Sequence, residues 1–209
     1  MAGTITALKF QKRNKERVNV YLDGEYAFGL NAIEAARLCK GQVLSDAEIT
    51  TLKAEDEQNR AFDQAVRFLS YRPRSRVEVE RYLSGKGFVG ELVANVVTRL
   101  EHANYLDDEA FARFWVENRE RFKPRSQRAL RYELRQKGVS NQIIARVLNG
   151  LDDEAAAWHA VEGRLSRWAN LSREELRKKV TGYLSRRGFD YGTIVLSFER
   201  VCQVLKIED

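Results

Sequence analysis

The sequence predicts a mainly α fold, in which tandem three-helix repeats form an elongated, curved body preceded by a small antiparallel β module. Three observations predict it. The stretch from Arg72 to Phe88 has a layout that returns twice, and its closing glycines, Gly87, Gly138 and Gly188, stand 51 and 50 residues apart. Counted from each glycine, apolar residues fill the same places in all three copies: Val79, Leu130 and Val180; Leu83, Leu134 and Leu184; Phe88, Val139 and Phe189; Val97, Leu148 and Phe198; Leu100, Leu151 and Val201. Agreement at that period marks one helical unit used three times rather than an unrepeated bundle, and units stacked in a row make a long body. The third observation is the strand-like alternation of residues 4–30.

Ile5, Ala7, Leu8 and Phe10 begin that alternation, and Val18, Val20 and Leu22 resume it after the polar turn Gln11–Glu16. Asp23-Gly24 is a two-residue hairpin signal, since both turn positions need a positive φ, and Tyr26 and Phe28 continue the next strand. Asn31 is placed to cap a short helix, Ala32–Cys39, that Gly41 ends. Ser45-Asp46-Ala47-Glu48 has capping-box spacing, and the helix it opens is expected to run through the polar stretch Lys53–Arg60. Residues 1–58 form this module.

The first repeat, 59–105, opens with a helix over Ala61–Tyr71 that carries Phe62, Ala65, Val66 and Leu69 on one face. Pro73 then holds the backbone extended, Ser75 caps the middle helix, Gly87 ends it, and a third helix follows from Gly90 to Ala103. The second repeat, 106–151, repeats this with Pro124, Ser126 and Gly138, while the third, 152–209, keeps Tyr183-Leu184-Ser185 and Gly188-Phe189 but has no proline. Each later repeat opens on paired aspartates, Asp107-Asp108 and Asp152-Asp153. Paired carboxylates can serve metal or acid–base chemistry. At helix starts they satisfy free backbone amides and oppose the helix dipole, and capping is the role expected of them.

Lys and Arg number 36 against 30 Asp and Glu, a net charge of +6 that suits an anionic partner. Residues 1–58 hold 8 basic and 9 acidic side chains, so the excess lies in the repeats. Between Arg119 and Lys137, eight cations stand against Glu120 and Glu133 alone. Among them Arg128, Arg131 and Arg135, three and four residues apart, form a stripe rotated away from the Leu130 and Leu134 face. Their counterparts are Val77, Glu80 and Ser84 in the first repeat and Lys178, Thr181 and Ser185 in the third, so the fold does not require them. An idle solvated face would intersperse acids; this one fits a nucleic acid or an acidic protein groove. A second, less regular cluster contains Arg173, Arg177, Lys178, Lys179, Arg186 and Arg187. The loop Lys12-Arg13-Asn14-Lys15 is expected to be merely solvated, and Trp115, Trp158 and Trp168, at helical spacing among apolar residues, to pack in the core.

Cys39 and Cys202 lie too far apart in sequence for a disulfide framework or zinc site and are expected as buried, reduced thiols. No run is long enough to span a bilayer and no secretion signal opens the chain, which points to the cytoplasm. His102 and His159 are the only histidines, there is no glycine-rich phosphate loop, and no nucleophile stands beside a base in a recognisable order; these absences argue against an enzyme.

Tyr71-Arg72-Pro73-Arg74-Ser75, Lys86-Gly87-Phe88, Tyr105–Ala112, Trp115-Val116, Lys123-Pro124-Arg125 and Glu133–Val139 together resemble the RecX family, bacterial regulators of the recombinase RecA. The match is dense from Phe62 to Gly150 and weaker in the third repeat, and the leading strand module resembles an extension found in part of the family. Ser126, where members often have glycine, and Val79, where leucine is frequent, are small departures. The resemblance implies a protein without cofactor that lies in the groove of the RecA–DNA filament, restrains ATP hydrolysis and strand exchange, and touches single-stranded or duplex DNA weakly and without sequence preference; a monomer is expected. The residues expected to carry filament or DNA binding are Arg72, Arg74, Arg76, Lys123, Arg125, Arg128, Arg131, Arg135, Lys137, Arg173 and Arg177. A different class of protein, a helix-turn-helix-like DNA-binding regulator acting without RecA, would also present a basic helix on a three-helix unit.

Overall fold

The computed structural model describes residues 2–207. It contains two compact units, one running up to Phe68 and including Leu83–Leu100, the other made of Leu69–Tyr82 and the residues from Glu101 onward. Among the described residues no helix is long and apolar enough to cross a membrane.

The first unit begins with strands β1 (Gly3–Phe10), β2 (Arg17–Leu22) and β3 (Glu25–Asn31), joined by β4 (Val43–Leu44) in an antiparallel sheet of order β3-β2-β1-β4. Asp23 and Gly24 both take positive φ, +50° and +93°, as a two-residue hairpin requires. Helix α1 (Ala32–Ala35), capped by the Asn31 side chain, is a single turn and not the longer helix expected to Cys39. Strand pairing wins over helix propensity here. The chain leaves the helix so that Gly41 N–H can donate to Ile5 O and Ile5 N–H to Gln42 O, which sets up β4, an unanticipated strand. Cys39 is consequently exposed on this turn, against the expectation of burial, whereas Cys202 is buried.

Helix α2 (Asp46–Ser70) runs through the polar stretch Lys53–Arg60 and continues without a break as the opening helix of the first repeat, because no glycine or proline interrupts it. The Ser45–Glu48 capping box starts it. Ile49 and Leu52 pack on the core of Ile5, Val18, Val20, Phe28, Leu30, Ala35 and Leu44. One turn on, the buried Asp56 carboxylate accepts from Arg17 Nη1 and Nη2 at 2.8 and 2.9 Å and from Asn31 N–H at 3.1 Å. The polar stretch is thus a structural joint of the unit. Farther along, Ala61 and Ala65 are buried, and Arg99 of α4 (Gly90–His102) stacks on Phe62 at 4.1 Å while bonding Asn59. Helix α3 (Arg76–Gly85) is divided between the two units.

The second unit contains two sets of helices. Helices α5 (Asp108–Phe122), α6 (Gln127–Gln136) and α7 (Asn141–Leu148) enclose Phe111, Ala112, Val116, Leu130, Leu134, Val139, Ile144 and Leu148. Helices α8 (Asp153–Glu162), α9 (Leu165–Trp168), α10 (Arg173–Ser185) and α11 (Tyr191–Leu205) enclose a core that includes Val161, Trp168, Leu176, Val180, Leu184, Phe198 and Val201. The chain is therefore mainly helical, with three tandem three-helix domains after the small β module, and α9 is one added turn in the third. The apolar positions shared by the three copies are all buried except Leu151, which is half-buried. Trp168 lies in the core, while Trp115 and Trp158 pack at the core edges.

Candidate functional site

The middle helices meet end to end. Ser75, at the start of α3, donates through Oγ to Lys137 O at 2.6 Å, and Ser126 N–H, at the start of α6, donates to Arg187 O at 3.2 Å. The C-terminus of α6 therefore abuts the start of α3, and that of α10 abuts the start of α6, which brings opposite dipole ends together. Gly138 faces Val77 and Gly188 faces Ala129 and Ser126, each too closely to admit a side chain, whereas Gly87 faces nothing within 4 Å.

The paired aspartates divide their work across these junctions. Asp107 and Asp152 cap their own helices, each accepting from two backbone amides. Asp108 and Asp153 instead accept from Arg76 N–H and Gln127 N–H, both at 2.7 Å, which are the first helical amides of α3 and α6. Burial raises the pKa of Asp108, resisted by the Arg76 amide and reinforced by the charge of Glu101; burial likewise raises that of Asp153, against the Gln127 amide. Among the described residues no cluster of His, Cys, Asp and Glu could hold a metal ion.

Two glutamates take up part of the expected cationic set. Glu78 accepts from Arg72 at 3.1 Å and Lys137 at 2.7 Å. Burial works against its ionisation, but the hydrogen bonds and charges of Arg72 and Lys137 outweigh it and hold the carboxyl at about 2. Glu133 accepts from Arg119, Arg125 and the Trp115 indole at 2.8, 2.9 and 2.7 Å. Arg76 is paired with Glu80 and Glu101. Burial, and then the charge of Arg72, lowers the pKa of Arg74, with Glu78 acting the other way.

The outer face of α6 is different. Leu130 and Leu134 are buried as the pattern required, and Arg128 and Arg131 make no ion pair among the described residues. Arg135 is exposed and donates from Nε to the neutral Asn141 Oδ1 at 2.9 Å. Tyr132, 65% exposed, stands between Arg128 and Arg135 at helical spacing, so the stripe carries an aromatic ring that charge counting alone passed over. Lys123 is exposed just before this helix. In the third repeat Arg173 lies over the Phe198 ring at 5.5 Å, and with exposed Arg177 it lines a shallow cleft beside Tyr191.

Residues 3–45 match the regulatory protein RecX N-terminal domain, and residues 61–100, 107–148 and 152–195 match the first, second and third three-helix domains of RecX. The chain belongs to the RecX family. It is 34% identical to the regulatory protein RecX of Bacillus subtilis (strain 168) over 202 residues, which covers 94% of this chain and 76% of that one. It is 35% identical to the regulatory protein RecX of Lactobacillus johnsonii over 191 residues, covering 89% and 70%. A crystal structure of a regulatory protein RecX superposes with a TM-score of 0.68 at 25% identity and covers 98% of each chain. The RecX structure from Lactobacillus salivarius shares the fold with a TM-score of 0.59 over 73% of this chain and 98% of that one. RecX proteins are regulatory proteins by name, and the junction residues described above show how this member joins its helical domains.

Proposed function

We propose that this RecX-family chain regulates RecA by binding along the groove of the RecA–DNA filament and restraining ATP hydrolysis and strand exchange. It acts there as a cytoplasmic monomer without a cofactor, through modules at 1–58, 59–105, 106–151 and 152–209, and its contact with DNA is weak and indifferent to sequence. The observation that carries this reading is the uncompensated arginine face of α6: Arg128 and Arg131 have no acidic partner among the described residues, although carboxylates neutralise the neighbouring Arg125 and Lys137. Cations left open beside neutralised ones mark a surface kept for an anionic partner. Many modest contacts from successive domains then add up along a repeating filament.

The test is RecA ATP turnover on single-stranded DNA with the R128A/R131A/R135A variant. Inhibition should weaken by at least about tenfold in concentration and lose much of its salt dependence, since exposed charge pairs act mainly through screened attraction. Undiminished inhibition removes α6 from the account. Tight binding of the unaltered protein to one particular duplex without RecA would favour a helix-turn-helix-like regulator instead.

A further inference from the structure

A second cationic site lies where the end of α5, the α8–α9 turn and the C-terminal end of α10 converge. Arg121, Phe122, Arg164, Arg167, Tyr183 and Arg187 line a pocket of about 270 Å³ that has no carboxylate in its wall. None of its four arginines makes an ion pair among the described residues. Glu78 and Glu133 each bind more than one cation elsewhere in this unit, so the absence of a comparable acid here is a local feature.

Tyr183 takes the place of an acid. Its ring is flanked by the guanidinium of Arg187 at 3.7 Å and that of Arg164 at 4.4 Å. Stacking uses the flat face of a guanidinium and leaves its N–H edge free for a planar or tetrahedral oxyanion, which it meets in a two-pronged geometry. The Arg187 Nε is buried without a hydrogen-bond partner among the described residues. Burial is the main influence lowering the Arg187 pKa, and the charges of Arg164, Arg125 and Arg186 add to it against an opposing pull from Tyr183. An anion seated here would offset the repulsion among these guanidinium groups.

We propose that this pocket binds the phosphodiester backbone of a single nucleic-acid strand. Phe122 favours a strand over an acidic peptide or a duplex: it is 64% exposed on the pocket rim, with Arg121 5.2 Å from its ring, and offers an unstacked base a flat apolar face next to the phosphate site. The inference does not rest on the filament reading, because the pocket's lining shares no residue with the α6 stripe and its test contains no RecA.

The experiment is a fluorescence-anisotropy titration of the full chain with a labelled oligothymidylate across a salt series. Arg121 and Arg167 are exposed and unpaired, so R121A/R167A should fold normally, a point checked by circular dichroism. It should bind about tenfold more weakly, and the slope of log affinity against log salt should fall by about 1.4, or about 0.7 for each phosphate no longer neutralised. R121K/R167K should keep most of that slope, and F122A should weaken binding about fivefold. Unchanged affinity and slope in R121A/R167A would overturn the proposal. So would a polyglutamate of equal charge, or a duplex of equal length, binding as tightly as the single strand. An equal weakening in R128A/R131A/R135A would place the strand on α6 and overturn the pocket.

Discussion

Replacing the three glycines that end the middle helices tests whether end-to-end docking, beyond backbone conformation, selects glycine there. Gly87, Gly138 and Gly188 have φ of +91°, +81° and +90°. Alanine in this left-handed region costs about 1–2 kcal/mol, so G87A, whose new methyl meets nothing within 4 Å, should lose about that much. At Gly138 the new methyl would fall 2.7 Å from Val77 Cβ and closer still to its Cγ2. A β-branched side chain held in a helix has little rotamer freedom to yield, and overpacking adds about 1–3 kcal/mol, giving a total of about 2–5 kcal/mol for G138A. At Gly188 the methyl falls 2.8 Å from both Ala129 Cβ and Ser126 Oγ; the hydroxyl can turn away but the alanine cannot, so G188A should lie between the other two. Urea unfolding followed by circular dichroism orders the three variants by midpoint, provided the slopes agree. The pair V77A/G138A closes a double-mutant cycle: removing both Val77 γ-methyls leaves only its Cβ in conflict, so a coupling of about 1–2 kcal/mol should appear. A G138A variant no less stable than G87A, or a cycle with zero coupling, would refute the docking argument.

Other outcomes follow from the junction acids and the cationic faces. Glu78 is lowered from an ordinary 4.5 to about 2, so its contribution is present above pH 4.5 and lost as the pH falls toward 2; after allowance for screening this is about 1–2 kcal/mol. The stability gap between the unaltered chain and E78Q should therefore close over that window in urea titrations. Asp108 has the opposite sign: a raised pKa contributes stability at low pH that is lost as the pH rises through the folded value, so D108N, which keeps an acceptor for Arg76 N–H, should match or exceed the parent at pH 7. D108A leaves that amide unpaired and should cost about 1–3 kcal/mol in the same assay. R128A/R131A/R135A should leave the thermal midpoint within a few degrees of the parent while the proposed RecA inhibition weakens, since surface charges without acidic partners contribute little to stability.

Local rules were legible in the sequence because their partners are close along the chain. The Asp23-Gly24 hairpin, the Asn31, Ser75 and Ser126 caps and the buried seam all follow from spacing alone. Partners distant in sequence left no comparable trace. Asp108 and Asp153 look identical to their capping neighbours Asp107 and Asp152, and only the fold reveals that they cap a helix of the preceding domain. The same holds for α1, cut to one turn by the pairing of β4 with β1, and for Asp56, which sits in a polar helical stretch with no sign of burial until Arg17 is brought to it. Charge counting found the stripe on α6 but not which arginines Glu133 and Glu78 had already taken up. The guanidinium pocket drew on residues from three separate stretches, none of them unusual by itself.

The end of the array has its own physical reason. Ser75 and Ser126 stand twelve residues before their glycines, whereas Ser172 stands sixteen before Gly188, so α10 begins a full turn early and buried Leu176 occupies the place that the docking serines hold elsewhere. The start of α10 closes on itself through a Ser172–Glu175 capping box and offers no counterpart of Ser75 and Val77 to a following glycine. At the other limit Gly87 keeps the left-handed turn, but a Cβ placed there would meet nothing within 4 Å. Of the middle helices, α6 is thus the one held at both ends, by Arg187 O at its start and by Ser75 Oγ at its finish. A charged face on a helix fixed in this way loses little freedom when it meets a partner, and binding strength depends as much on that saving as on the charges themselves. That is a physical reason for the open arginines to lie on α6: their counterparts on α3 and α10 are mostly uncharged or acidic, and among the described residues α3 and α10 each make such a helix-end contact at one end.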